Sequence, residues 1–251
     1  MADILAFAES RGGELRKVAL EAVAAARQAA DATGGGQVHA LLIGAPGIGA
    51  KAPQLAKVGA DVVVVVEHAG LANGSPEVAA ATAAARTKSG GYRAAFFAAS
   101  AEGKDLAPRV AAALGVSLAS DLTSFELTAD ALIGKHPSHT GKIITTVKLA
   151  GAPAIVTLRP GAVRVIDQPK PGRLEAMAPA LDPASARVVV TSVGSRGEAK
   201  LDLGDAPGIV SGGRGLKEAA NFKLVHDLAA AFGNAAVLAT RAVTHAGWRH
   251  P

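Results

Sequence analysis

The sequence predicts an α/β protein built on a parallel sheet, and three observations carry that prediction. Strand-like and helix-like segments alternate through the first hundred residues, the pattern of parallel sheets covered by helices. The composition is 49% hydrophobic but only 3% aromatic, and an aliphatic core of this kind suits strands buried on both faces. Finally, the run Ala206–Leu216, Ala-Pro-Gly-Ile-Val-Ser-Gly-Gly-Arg-Gly-Leu, reads as a strand ending in a glycine-rich turn that opens a helix. It marks a second α/β region. The 251 residues are enough for two modest domains, expected over 1–185 and 186–251.

Taken in order, Ile4–Ala8 reads as a strand and Arg11–Gly13 as a turn. From Glu14 to Ala30 the apolar residues Leu15, Val18, Ala22, Val23 and Ala26 keep helical spacing, closed by Gly34–Gly36. Val38–Ile43 is a strand, Pro53–Val58 a short helix, and Ala60–Glu67 a near-continuous apolar strand. Ser75 and Pro76 are placed to cap and start a helix reaching about Thr87. Ala94–Ala99 is the next strand. Ser100–Arg109 reads as a loop entering a helix that runs to Leu114, with Asp105 as its cap. Leu118–Thr128, Ala131–Lys135, Ile143–Lys148 and Ala154–Leu158 are strand-like with no helix between them, so antiparallel hairpins are expected. Val163–Ala184 is proline-rich and reads as a linker or a strand with loops. Val188–Val193 reads as a strand, Gly194–Ala206 as irregular, Leu216–Phe232 as an amphipathic helix, and Ala235–Ala239 as a last strand.

Several function classes are excluded or disfavoured. There are no cysteines, so disulfides, thiolate metal sites and a catalytic thiol are absent. The lack of cysteine and of any leader-like start is compatible with a cytoplasmic protein. No segment is long enough to span a membrane, so no membrane insertion is expected. The net charge is +5, and Lys135–Arg173 holds seven Lys/Arg against one acid, Asp167. Those charges sit among strand residues with little aromatic interleaving. They suit a solvated face or protein docking rather than nucleic acid. His136 and His139 are spaced H-x-x-H without a third ligand at metal-binding spacing, so no metal is expected.

The turn Ser211-Gly212-Gly213-Arg214-Gly215 is the main candidate site. A strand that ends in glycines and opens a helix offers backbone N–H groups to an anion. Glycines allow positive φ and close backbone approach, and Arg214 adds a charged fork. A nucleotide-type ligand and a tight connection with a surface arginine are both open on this chemistry. Thr240-Arg241 falls at the carboxyl end of the last strand, where open α/β sheets bind ligands. The loop Gly44-Ala-Pro-Gly-Ile-Gly49 invites an adenine-nucleotide reading. It has no lysine or acid in position, which favours a flexible connection.

Three stretches together resemble one family, the alpha subunit of electron-transfer flavoproteins, including the nitrogen-fixation-related form. They are Glu9-Ser-Arg-Gly-Gly-Glu-Leu15; Gly103-Lys-Asp-Leu-Ala-Pro-Arg-Val110 with Ser120-Asp121 and Thr157-Leu-Arg-Pro160; and Ile209-Val-Ser-Gly-Gly-Arg-Gly-Leu-Lys217 with Asn221-Phe-Lys-Leu224. The resemblance implies a nucleotide-hydrolase-like parallel-sheet domain with added antiparallel strands, followed by the start of an FAD-binding α/β domain. It implies a heterodimer with a beta subunit, against which the FAD sits. The expected role is to carry electrons from flavin dehydrogenases, such as the acyl-CoA dehydrogenases of fatty acid β-oxidation, to a quinone reductase of the respiratory chain. That is a carrier's role, without a substrate of its own.

Residue by residue, the resemblance makes Arg214 an arginine that approaches the FAD, with Ser211, Gly212, Gly213 and Gly215 forming its turn. Thr240 stands where the family has a serine bonded to FAD. Arg241 matches the arginine over the flavin ring, whose charge favours an added electron. A cation ~4 Å from a developing charge is worth at most ~4 kcal/mol at an effective dielectric of 20. The chain departs from the family at Leu238-Ala-Thr-Arg241, usually Gly-Ala-Ser-Arg, and at Thr244-His-Ala-Gly247, usually Val-Asp-Ala-Gly. The family also continues for several tens of residues past the position of Trp248, with further FAD contacts. The FAD site is therefore expected to be only partly encoded, as in a C-terminally truncated member. The alternative is an FAD-deficient module that acts only as interaction partner of a beta-type subunit.

Overall fold

The computed structural model describes residues 3–194, 203–204 and 206–248, so most of the irregular stretch expected over Gly194–Ala206 lies outside the described residues. The chain forms two compact units, 1–193 and 194–251.

The first unit opens with β1 (Ile4–Ala8), whose side chains alternate between two cores. Ile4, Ala6 and Ala8 enter one cluster, and Leu5 and Phe7 the other. A strand covered on both faces needs no polar positions. Next come β2 (Ser10–Arg11) and β3 (Glu14–Leu15), a small antiparallel ribbon around Gly12 and Gly13. Both glycines have positive φ, 58° and 80°, as a two-residue hairpin turn demands. The ribbon takes up Glu14 and Leu15, so α1 (Lys17–Ala32) starts three residues later than its periodicity predicts. Then follow β4 (Val38–Gly44), α2 (Ala52–Lys57), β5 (Val62–Glu67), α3 (Pro76–Gly90), β6 (Ala94–Ala98) and α4 (Ala101–Leu114). Ser75 does precede α3, but its side chain makes no cap bond. α4 begins four residues before the expected cap Asp105. Ser100 is the cap, its Oγ accepting from Gly103 N at 3.0 Å, and Asp105 instead pairs with Arg109 at 2.9 Å on the helix surface.

The single strand expected over Leu118–Thr128 is two strands in two sheets, β7 (Leu118–Leu122) and β8 (Ser124–Leu127). The break falls at Thr123, two residues after Asp121, which has φ +53°, a conformation aspartate tolerates better than most residues. Asp121 N donates to Thr157 Oγ1 at 2.7 Å, and Arg159 donates twice to its carboxylate, at 3.1 and 2.6 Å. The Arg159 hydrogen bonds hold the Asp121 carboxyl below the usual carboxylate range. The antiparallel sheet contains β8, β9 (Ala131–Ser138) and β10 (Ile143–Ala150), in the order β10-β9-β8. β11 (Ala154–Leu158) was expected to belong to it. Instead it runs parallel between β6 and β7, with all five residues buried.

Within the proline-rich stretch, β12 (Arg173–Ala176) pairs in parallel with β5 at the sheet edge. Arg86 of α3 ties it down, donating to Glu175 at 2.5 and 3.3 Å, to Tyr92 Oη at 2.8 Å, and contacting His39 Nδ1 at 3.0 Å. The seven-stranded sheet reads β12-β5-β4-β1-β6-β11-β7, all parallel. α1 and α2 cover one face, α3 and α4 the other. Val188–Val193, expected as a strand, pairs with none. β12 already occupies the sheet edge beside β5, and Val190 O accepts from Asn73 Nδ2 at 3.4 Å.

The second unit holds β13 (Gly208–Gly212), α5 (Phe222–Phe232), β14 (Ala235–Ala239) and α6 (Arg241–His245). β13 and β14 pair in parallel, Gly208 against Ala235 through Gly212 against Ala239. α5 starts six residues later than Leu216. Two short 3-10 turns, Arg214–Leu216 and Ala219–Asn221, take up the intervening chain. Phe222, Val225 and Val243 form its small core, with Val210, Leu216, Val237 and Trp248 packed around them.

Candidate functional site

The carboxyl ends of β13 and β14 bring together every residue that the sequence marks in this region. Ser211 and Gly212 end β13, Gly213 follows, and Arg214 and Gly215 lie in the first 3-10 turn. Thr240 follows β14, and Arg241 is the first residue of α6. Parallel pairing puts the two strand ends side by side. Thr240 N donates to Gly212 O at 3.0 Å, and a Cβ on Gly213 would sit 3.6 Å from Thr240 Cγ2.

The glycines act differently from the sequence expectation. None of Gly212, Gly213 and Gly215 has a positive φ; Lys217, at +69°, is the residue that does. Glu218 N bonds back to Leu216 O at 2.9 Å, closing a strained three-residue turn around Lys217. Gly212 is glycine for packing. A Cβ there would lie 2.7 Å from Leu216 and 2.8 Å from the Phe222 ring. Leu216 and Phe222 therefore fold against the strand end. Gly213 is extended and Gly215 faces open space.

Arg214 and Arg241 are both exposed, and neither guanidinium makes an ion pair or hydrogen bond among the described residues. Thr240 begins α6 without a side-chain cap bond. Two uncommitted cations and a hydroxyl at one strand end form an anion-accepting surface. Their chemistry fits an anionic group such as a phosphate. The departure Leu238 is 36% exposed and points to no clash.

The other two motifs meet in the first unit and do structural work. Glu9 is buried and accepts from Ser100 Oγ at 2.5 Å. Gly103 lets α4 start close to β6, since a Cβ there would lie 1.8 Å from Ala98 O. Asp121, Thr157 and Arg159 form the clamp at the end of β7 and β11. The Gly44–Gly49 loop does have an acid in position, which sequence spacing missed. Glu67 Oε1 accepts from Gly47 N at 3.0 Å and Gly49 N at 2.9 Å. The signal available was Glu67 at the end of β5, in register with Gly44 of β4.

His136 Nδ1 lies 2.8 Å from Ser120 O, and no cluster of three or more metal-ligating side chains occurs among the described residues. No described helix is long and apolar enough to cross a membrane.

Comparison with known proteins follows the two units. Residues 4–200 match the family model described as electron transfer flavoprotein domain, and residues 202–251 the model described as electron transfer flavoprotein FAD-binding domain. The electron transfer flavoprotein subunit alpha of Syntrophomonas wolfei is 35% identical over 248 residues, covering 99% of this chain and 76% of that protein. Protein FixB of Clostridium saccharobutylicum is 31% identical, covering 96% of this chain and 72% of its own length. The Bacillus subtilis electron transfer flavoprotein subunit alpha is 30% identical, covering 98% and 74%. On these matches, spread over both units, the chain belongs to the electron transfer flavoprotein alpha-subunit family.

Proposed function

We propose that this chain is an electron-carrying subunit that holds FAD at the carboxyl ends of β13 and β14 and works as a cytoplasmic heterodimer with a beta-type subunit. The observation that carries the reading is the convergence of Arg214, Thr240 and Arg241, from two separate sequence stretches, at one strand end within the part matched to the FAD-binding family model. FAD supplies the one-electron chemistry when bound. The chain's residues bind and tune. Arg214 draws in negative charge, the Thr240 hydroxyl donates or accepts one hydrogen bond, and Arg241 favours the more negative redox state. Ser211, Gly213 and Gly215 give the backbone close approach.

The partner surface we favour is the antiparallel sheet of the first unit. β10 is its edge strand, and Ile143 and Ile144 are 50% and 56% exposed there. Lys135 and Lys148 lie on β9 and β10, and Lys142 immediately precedes β10. An exposed edge with apolar and basic residues is a docking feature that an isolated protein avoids. Flavin dehydrogenases such as acyl-CoA dehydrogenases are the donors, and a quinone reductase is the acceptor.

Co-purification with a beta-type subunit tests this reading, and a complex with visible flavin absorbance is expected. Arg241→Ala is expected to lower the one-electron midpoint potential by tens of millivolts, since ~1 kcal/mol corresponds to roughly 40 mV. A colourless complex would reject the carrier role in favour of the interaction-only module. An unchanged potential would remove Arg241 from the flavin.

A further inference from the structure

The first unit contains a cavity of about 410 Å³ at the carboxyl ends of β1 and β4, beside residues 71–76 that lead into α3, in the size range of small-molecule sites. Carboxyl ends of parallel strands are where open α/β sheets take ligands. Its apolar wall includes Phe7, Ile43, Ile48 and Leu71. Its polar wall includes Ser10, Asn73 and Ser75. Ser75 is the informative residue. It stands at the start of α3 but makes no cap bond, and its Oγ is buried with no hydrogen-bond partner. A buried hydroxyl without a partner is uncommon and calls for an explanation.

Charge narrows the ligand. The neighbouring loop would offer an anion the amides of Gly47 and Gly49, but Glu67 already holds both. Arg11 and Glu102 are the charged residues of the lining, one of each sign. A phosphate would therefore find the loop amides already taken. A ring with hydroxyls or amides fits better. The ring rests on the aliphatic and phenyl wall, and the polar groups pair with Ser75 and Asn73. Val190 and Val193 also line the cavity, so the unpaired segment they belong to forms part of its wall.

We propose that this cavity binds an uncharged ligand of nucleoside type, a planar ring bearing hydroxyl groups, and discriminates against its phosphorylated form. The site lies wholly in the first unit and shares no residue with the proposed flavin site.

Calorimetric titration of the full chain with adenosine, uridine and AMP tests it. Saturable one-to-one binding of at least one nucleoside is expected, with AMP at least tenfold weaker than adenosine. Ser75→Ala should weaken nucleoside binding about tenfold, the effect of one lost hydrogen bond. Because Ser75 makes no cap bond, that variant should keep its far-ultraviolet circular dichroism. Glu67→Ala should narrow the gap between adenosine and AMP by releasing the loop amides. Failure of both nucleosides to bind, AMP binding as tightly as adenosine, or an unchanged affinity in Ser75→Ala would each overturn the proposal. Flavin content of the complex, measured in parallel, reports on the second unit separately.

Discussion

β6 and β14 are nearly the same strand in sequence. One reads Ala-Ala-Phe-Phe-Ala and the other Ala-Ala-Val-Leu-Ala, and both run in parallel sheets. All five residues of β6 are buried, whereas Ala236 alone is buried in β14. Their surroundings differ. β6 lies between β1 and β11 with helices on both faces, while β14 pairs with β13 and packs on α5 and α6. α5 shows the consequence. It buries Phe222, Val225 and Ala229 on one side, and leaves Leu224 and Phe232 65% and 70% exposed on the other. Local pattern thus specifies a strand, but the number of covering layers decides how much stability that strand contributes.

The comparison can be broken most sharply at the aromatic residues. Phe96 of β6 is fully buried, so Phe96→Ala is expected to cost about 3–5 kcal/mol of stability in denaturant titration. Replacing exposed Leu224 with Gln is expected to change stability by less than about 0.5 kcal/mol. Equal effects would contradict the assigned layers.

The first unit also carries a pH dependence of its own. Burial, with a smaller contribution from nearby Glu9, pushes the Glu102 carboxyl up to about 7 from an ordinary 4.5. The folded state therefore prefers Glu102 protonated. That preference stabilises fully below pH 4.5 and is lost as pH rises through about 7. His39 has the opposite dependence. Burial, reinforced by Arg86, lowers its pKa from 6.5, so its contribution is present above pH 6.5 and is lost below it. Glu102→Gln is expected to flatten the fall in melting temperature between pH 5 and 8. An unaltered profile would show that Glu102 is ionised throughout.

A smaller effect is expected in the second unit. Lys217→Gly should stabilise it by about 1 kcal/mol by relieving the positive φ, read as slower hydrogen exchange over 213–222. A loss of protection would mean that the lysine side chain makes a compensating contact.

Much of this was legible in the sequence because periodicity and punctuation are local. The βα alternation, the turn at Gly12-Gly13 and the junction at Thr240-Arg241 are all readable that way. The misreadings share a cause, which is that long-range pairing is not local. Ala154–Leu158 looked like a hairpin arm because no helix precedes it, yet it enters the parallel sheet. The continuous strand pattern splits just after Asp121, which is bonded to Thr157 and Arg159, 36 and 38 residues away. Ser100 outcompetes Asp105 as a cap because Glu9, 91 residues upstream, holds its hydroxyl. At the candidate site, residue identities were readable but the reasons were not. Gly212 is required by the Phe222 ring, and the positive φ falls on Lys217.

The central claim is that FAD lies against the β13 and β14 ends, in a unit whose own core is thin. Hydrogen exchange on the complex with a beta-type subunit, with and without FAD, tests it most directly. FAD is expected to protect amides of 211–216 and 240–243 strongly and to leave β1, β6 and β11 unchanged. Protection confined to other residues, or none at the two strand ends, would contradict the account.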